Sequence, residues 1–306
     1  YHYLNFYKMK KIFAIICVLL VCAMAFAALD FKEVDTKYNR EEDYQGIYNT
    51  LQQMLTKASD NSEKAEVLWR LSRVCVSLGD DLPDKDTDGK FALYEEGEQY
   101  AIQSIEAKPS ALGYLWKCSN IGRWGQTKGV LNSLAKSKPM MADLKTMTDT
   151  YNYLESSEAW YVLSVLYSSL PGMFGGDSNA AISYARIAVE TIPSDTLYLG
   201  TYMQLAETLY ARNWDAKKRT TEINKMKKSW DKENSSNYEK YKYYEGKAGS
   251  DATPIWTNTK LSAMTDRQEA KVVLQYAKAM YDSRSFHTAG DDEKYKELCD
   301  LLNSWK

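Results

Sequence analysis

The central part of the chain has the hydrophobic spacing of two consecutive amphipathic helices. Apolar residues at i, i+3, i+4 and i+7 form one helix face, and Pro171 with Gly172 ends that pattern. Asp177 is a suitable N-cap for a second helix, whose small and apolar residues again fall on one side. The first face comprises Leu163, Leu166, Tyr167 and Leu170, and the second Ala181, Ala185, Ala188, Val189 and Ile192. Because small residues permit close helix approach, this stretch predicts an antiparallel helical hairpin.

The same hairpin pattern occurs earlier in the chain. Tyr100 aligns with Tyr184, and Pro109 with Pro193, at a constant offset of 84 residues. The helices that precede these segments align at an offset of 92, since the connecting loop of the first copy is longer. Repeated helix pairs cannot bury their apolar faces alone and stack on one another. The predicted fold class is therefore all α, a tetratricopeptide-like array of antiparallel helix hairpins, or α-solenoid.

The pattern divides the chain into four predicted parts. Residues 1–27 are a signal peptide with extra residues before Met9, and residues 28–230 are the helical repeat domain. Residues 231–264 are rich in Tyr and Lys and have no sustained period, which predicts a long loop. Residues 265–306 are C-terminal helices that pack on the repeat domain. Capping boxes are predicted where Asp60 precedes Glu63 and Thr265 precedes Gln268.

The signal-peptide hypothesis depends on two lysines after Met9, an apolar run over residues 12–26, and a small-residue site at 25–27. The alternative is a membrane anchor, for which the run is short. Cleavage predicts a periplasmic or secreted protein. Cys17 and Cys22 each follow a large apolar residue, which argues against a lipid anchor.

Charge and composition exclude several functional classes. The chain of 306 residues has 39 basic and 41 acidic residues, and removing residues 1–27 takes away three lysines and no acid. The remaining net charge of −5 argues against nucleic acid as a general partner. After residue 27 the sequence contains a single histidine, His287, and no phosphate-binding glycine loop. Most catalytic arrangements use a histidine with a placed partner, so we predict no enzyme and no catalytic residues. The competing hypothesis is a hydrolase that uses paired carboxylates alone.

An acidic loop matches the calcium-binding pattern of an EF-hand. Oxygen ligands are spaced at positions 1, 3 and 5, a glycine stands at position 6, a backbone carbonyl at 7 and a glutamate at 12. The residues of this predicted Ca²⁺ site are Asp84, Asp86, Asp88, Lys90 and Glu95. Pro83 stands where an EF-hand has its incoming helix. Calcium binding here would make the chain a calcium-stabilised structural module, and the alternative for the loop is a solvated acidic linker.

Aromatic residues are abundant, with eight Trp and 24 Tyr. On stacked helix pairs such rings either pack between helices or line a groove for a partner protein or a small hydrophobic molecule. The predicted groove residues are Trp116, Trp124, Trp160, Tyr161, Tyr167 and Phe174. Several lysines between residues 217 and 228 either solvate their helix or form a basic docking face.

Three segments resemble the regulators of microtubule dynamics: VLWRLSRVCVSL from Val67, YEEGEQYAIQSIEAKP from Tyr94 and GYLWKCSNIGRWGQTKGVLNSL from Gly113. The segment LYSSLPGMFGGDSNAAISYARIAVETIP from Leu166 is similar to the T-components of TRAP transporters, as is the helix after Thr265. The resemblance implies a helical repeat protein without catalytic residues. Its transporter branch further implies a periplasmic protein that forms homo-oligomers, docks a solute-binding protein and has apolar clefts for a hydrophobic ligand. The predicted signal peptide favours that branch.

Overall fold

The computed structural model describes residues 28–305, and every regular element in that range is helical. The thirteen α-helices of this range are α1 Lys32–Asn39, α2 Tyr44–Leu55, α3 Asn61–Asp81, α4 Thr87–Ala107, α5 Ala111–Lys128, α6 Ser137–Lys145, α7 Ser157–Ser169, α8 Ser178–Glu190, α9 Leu199–Arg212, α10 Ala216–Lys232, α11 Asn237–Tyr241, α12 Asp266–Asp282 and α13 Ala289–Ser304. The predicted all-α class is confirmed. Between residues 28 and 305, no helix combines the length and apolarity that crossing a bilayer requires.

Short polar side chains start many of these helices. The Asp60 carboxylate accepts a hydrogen bond from the backbone N–H of Glu63, and Asp177 caps α8 in the same way. The capping box at Thr265 and Gln268 forms completely. The predicted box at Asp60 forms only by half, because the Glu63 carboxylate accepts hydrogen bonds from the Ser59 and Leu29 backbone instead.

Helices that follow one another pack side by side. α3 packs against α4, α4 against α5, α7 against α8, and α8 against α9, while α12 packs on α9 and α13 on α12. The core runs through this array as connected layers. One layer joins α5, α6, α7 and α8, and another joins α8 and α9 to α12 and α13. This arrangement of adjacent pairs is that of a helical repeat array.

The structure extends the repeat from a hairpin to a unit of three helices. The Asn120 side chain in α5 donates a hydrogen bond to the Ser72 hydroxyl in α3 at 3.0 Å. The Gln204 side chain in α9 donates to the Ser164 hydroxyl in α7 at 3.1 Å. Asn120 and Gln204 are 84 residues apart, and Ser72 and Ser164 are 92 apart, so both offsets of the sequence alignment recur in one contact. α3–α4–α5 and α7–α8–α9 are thus equivalent units.

The segment from 231 to 264, predicted as a long loop, contains α11 and single turns at Tyr244–Gly246 and Leu261–Ala263. Its side chains enter the core at several points, including Tyr238, Glu245 and Trp256, all of which are buried. The phenol of Tyr238 is 2.7 Å from that of Tyr167. These buried side chains contact residues outside the segment. Hydrophobic periodicity within the segment does not reveal such contacts.

Candidate functional site

A pocket of about 300 Å³ lies between α3 and α7, which are the first helices of the two units, and α5, which is the third helix of the first unit. α3, α5 and α7 form its walls, the segment from 130 to 140 covers one side, and Tyr38 of α1 lies at its edge. The floor is apolar and includes Val76, Ile121, Met140, Val162, Val165 and Leu166. A concave apolar surface with a few polar groups is the usual form of a binding site.

Ion pairs and hydrogen bonds to neighbouring side chains fix the charged groups around the pocket. Arg123 forms an ion pair with Asp80 at 2.9 Å, and the Tyr94 hydroxyl donates to the same carboxylate at 2.8 Å. Glu158 accepts hydrogen bonds from the Tyr198 hydroxyl at 2.7 Å and from the Ser156 hydroxyl at 3.0 Å. Burial, with the Glu158 charge adding to it, raises the pKa of Tyr198 well above that of a free tyrosine. The rim is thus polar and fixed in position.

Trp116 lines the pocket, and its indole N–H is buried without a hydrogen-bond partner among residues 28–305. A buried donor without an acceptor costs about 1–3 kcal/mol. The nitrogen has almost no accessible surface, so a ligand oxygen would reach it only after the atoms that cover it moved.

Two of the six predicted groove residues, Trp116 and Tyr161, line this pocket. Trp124 lies outside the lining, where its indole donates to Glu95 at 2.9 Å and its ring packs on Phe91. Phe174 is 44% exposed and lies in the turn Gly172–Phe174.

The remaining two predicted groove residues are core residues. Trp160 is fully buried and stacks between Tyr184 and Tyr241, with centroid separations of 5.7 Å and 4.9 Å. Tyr167 is also buried, and its hydroxyl faces that of Tyr238. The structure thus does not bring the six aromatics together in one groove, because half-buried rings and core rings follow the same helical spacing.

Sequence reasoning missed the aliphatic floor of the pocket. Val162 lies one turn from Leu166 on the same side of α7, and Val165 lies about 100° further round the helix from Leu166, so the apolar surface of this helix is wider than the stripe through Leu163 and Leu166. A helix with that pattern is buried on several sides or lines a cavity. The wide apolar surface of α7 was therefore the sequence signal that could have revealed the pocket floor.

The five residues of the predicted calcium loop do not converge on one point. Asp86 is the N-cap of α4, and its carboxylate accepts from the Gly89 N–H. The Lys90 ammonium lies 3.0 Å from Asp84, and Glu95 lies within the helix, where it accepts from Trp124. Within residues 28–305, no group of three or more His, Cys, Asp or Glu side chains has a metal-binding arrangement. Calcium binding stays a prediction that this conformation does not favour.

A buried ionic cluster connects the segment 231–264 to the repeat units. It comprises Arg186, Arg212, Arg219, Glu245, Asp266 and Glu269. Glu245 is bound by Arg186 at 2.9 Å and by Arg212 at 2.6 Å. Burial alone would raise the pKa of Glu245, but the charges of Arg212 and Arg186 outweigh it and hold that pKa far below the usual range. The cluster is a charged anchor, since Glu245 and Glu269 stay ionised and paired with the arginines.

Comparison with known proteins links the first part of the chain to a family. Residues 30–146 match the family model described as Regulator of microtubule dynamics protein 1-3. Regulator of microtubule dynamics protein 1 of Bos taurus is 26% identical over 191 residues, which cover 55% of this chain and 59% of that relative. The chain thus spans about three fifths of the length of the curated relative that it matches. These matches support the resemblance to the regulators of microtubule dynamics. Neither of the two matched proteins is named as a TRAP transporter component.

The same comparisons correct the predicted location. The prediction of a periplasmic or secreted protein after signal-peptide cleavage is wrong, because the similar proteins are named as regulators of microtubule dynamics and one comes from an animal. Residues 1–27, to which that prediction was tied, lie outside the described residues. The length and apolarity of the run at 12–26 do not by themselves identify a compartment.

Proposed function

We propose that this chain is a non-enzymatic helical repeat protein that binds a protein partner through the pocket between α3, α5 and α7, and that it acts in this way on microtubules. The observation that carries the proposal is the pocket itself. Its apolar floor lies within a polar rim, and an open apolar surface with such a rim is typical of a binding site.

The size and chemistry of the pocket suit an anchoring side chain. A volume of about 300 Å³ is at the lower end for binding pockets, and it suits one large apolar side chain of a partner. The indole N–H of Trp116 would pair with a backbone carbonyl of the same partner segment once the atoms that cover it moved aside. A small hydrophobic molecule would compete for the same space, so the variants described below would also affect its binding.

The absence of catalytic function is supported by the state of the carboxylates. Asp80 and Glu158, the acids at the pocket, are engaged by Arg123, Tyr94 and Tyr198 and leave no free acid–base pair there. The relatives are named as regulators, and their name supplies the microtubule part of the proposal.

The test measures growth rate and catastrophe frequency of microtubules assembled from purified tubulin. We compare the wild-type chain with Val165→Lys, which places a charge on the pocket floor, and with Val272→Lys as the matched control. Val272 is also a half-buried helix valine, but it lies in α12 outside the pocket. Circular dichroism confirms that each variant is folded.

We expect the wild type and Val272→Lys to change microtubule dynamics alike, and Val165→Lys to lose at least most of the effect. A wild-type chain without effect would refute the action on microtubules. Equal effects of wild type and Val165→Lys would show that the pocket does not mediate it.

A further inference from the structure

The exposed side of α10 carries a stripe of lysines. Residues 217, 218, 225, 228 and 232 fall within an arc of about 100° on a helical projection at 3.6 residues per turn. The buried residues of the helix, Arg219, Ile223 and Met226, lie on the opposite side. The stripe comprises Lys217, Lys218, Lys225, Lys228 and Lys232, all of them exposed. The chain as a whole has a net charge of −2, so this is a basic surface on an acidic protein.

Acidic residues are placed beside the stripe rather than within it. Glu222 pairs with Lys225 at 2.7 Å, and Asp231 pairs with Lys227, which lies outside the arc. Lys218 lies 5.2 Å from the centre of the Trp214 ring. The ammonium groups of Lys217, Lys228 and Lys232 form no ion pair with another residue of the range 28–305. Like charges on one helix face repel one another, and an anionic partner would relieve that repulsion.

The underside of α10 is fixed by the buried ionic cluster. Arg219 donates to the Met264 carbonyl at 3.0 Å and pairs with Asp266 and Glu269. Gly246 lies directly against the backbone of α10, where an added Cβ would come within 2.4 Å of the Lys227 nitrogen. The stripe is therefore presented on a rigid element, and a partner would not have to order it.

We propose that this stripe is a docking surface for an acidic, extended protein segment. From Lys217 to Lys232 the helix rises by about 22 Å, which about seven residues of an extended chain would span. Lysines three or four residues apart on the helix are separated by a rise of about 4.5–6 Å. Alternate side chains of an extended peptide are about 6.6 Å apart. The first such side chain meets Lys217 and Lys218, the second faces Thr221, the third meets Lys225, and the fourth lies between Lys228 and Lys232.

Other anionic partners fit the surface less well. The stripe itself contains no aromatic side chain on which a nucleic-acid base would stack, and the nearby Trp214 ring is already contacted by the Arg212 guanidinium at 4.0 Å. It also has no exposed large apolar side chain that would enter a membrane, since its remaining member is Thr221. The surface shares no residue with the pocket, so the inference does not depend on the proposed function.

The experiment measures the binding of fluorescein-labelled octaglutamate to the full chain by fluorescence anisotropy, at low and at physiological salt. The test variant is Lys228→Glu with Lys232→Glu. The control is Lys64→Glu with Lys296→Glu, which changes the net charge equally at exposed lysines on α3 and α13. A short DNA duplex and phosphatidylcholine vesicles with and without phosphatidylserine serve as competitors.

We expect the test variant to weaken binding by about tenfold or more, the control to retain wild-type affinity, and salt to weaken the wild type. Equal losses in both variants would overturn the proposal, because they would show a response to net charge alone. Competition by the duplex or the anionic vesicles that exceeds competition by unlabelled octaglutamate would overturn it in favour of a nucleic acid or a membrane.

Discussion

The hydroxyl of Ser157 donates a hydrogen bond to the carbonyl oxygen of Ala188 at 2.7 Å. In the first unit, the hydroxyl of Ser104 donates to the carbonyl of Ala65 at 2.9 Å. Ala65 corresponds to Ser157 at the offset of 92, and Ser104 corresponds to Ala188 at the offset of 84. The serine therefore stands on the second helix in one unit and on the first helix in the other. Both units keep the contact between their first two helices although the donor has changed sides.

We expect that replacing one member of the ionic cluster lowers the free energy of unfolding by a large amount. Glu245→Gln leaves Arg186 and Arg212 buried without their shared counter-charge. Breaking a buried ion pair in this way costs about 3–5 kcal/mol, so we expect the free energy of unfolding to fall by that amount in urea denaturation. Glu239→Gln is the control from the same segment. It removes a surface pair with Lys242 and should cost below about 1 kcal/mol. Similar losses in the two variants would contradict the anchoring role of Glu245.

The same cluster predicts sensitivity to acid. Glu245 and Glu269 are buried, which raises their pKa, but the charges of Arg212 and Arg186 on the first, and Arg186 and Arg219 on the second, lower both below the ordinary value of 4.5. A carboxyl group whose pKa is lower in the folded state stabilises the fold above its unfolded pKa, and that stability is lost as the pH falls through the folded pKa. We therefore expect the free energy of unfolding to decrease below about pH 4.5. Glu245→Gln should show a shallower decrease, and an equal slope in both proteins would contradict the assignment.

The acidic loop predicts no response to calcium in this conformation. Asp84 is paired with Lys90, Asp86 caps α4, and Glu95 accepts from Trp124, so calcium binding would require these contacts to break. Thermal melting with Ca²⁺ and with a chelator should therefore give the same transition. A transition raised by Ca²⁺ in wild type, and not in Glu95→Gln, would instead establish the calcium site.

Much of the fold was predictable because helix signals are local. The spacing of apolar residues, the caps at Asp177 and Thr265, and the offset that relates Tyr100 to Tyr184 all follow from short stretches of sequence. The all-α class and the helix pairs depend on nothing more. The third helix of each unit was not predicted as part of the repeat, since Asn120 and Gln204 conserve a donor rather than an identical residue.

The candidate pocket was only partly predictable. Trp116 and Tyr161 line it, while Trp160 and Tyr167 share their helical spacing but face the core. Which face of a helix meets solvent depends on the neighbours that cover it, and the decisive neighbours of Trp160 come from the segment 231–264, where Tyr241 stacks on its ring. That contact joins parts of the chain that no local pattern relates.

The duplication of the three-helix unit is tested most directly by exchanging the donor of the second unit. Ser157→Ala alone removes the hydrogen bond to Ala188 and should cost about 1 kcal/mol, and Ala188→Ser alone adds a hydroxyl to a filled contact. Ser157→Ala combined with Ala188→Ser gives the second unit the arrangement of the first. The measurement is a double-mutant cycle of unfolding free energies in urea. The account predicts that the double variant recovers most of the stability that the single variants lose. A double variant destabilised by the sum of the two single changes would show that the units are not structural copies.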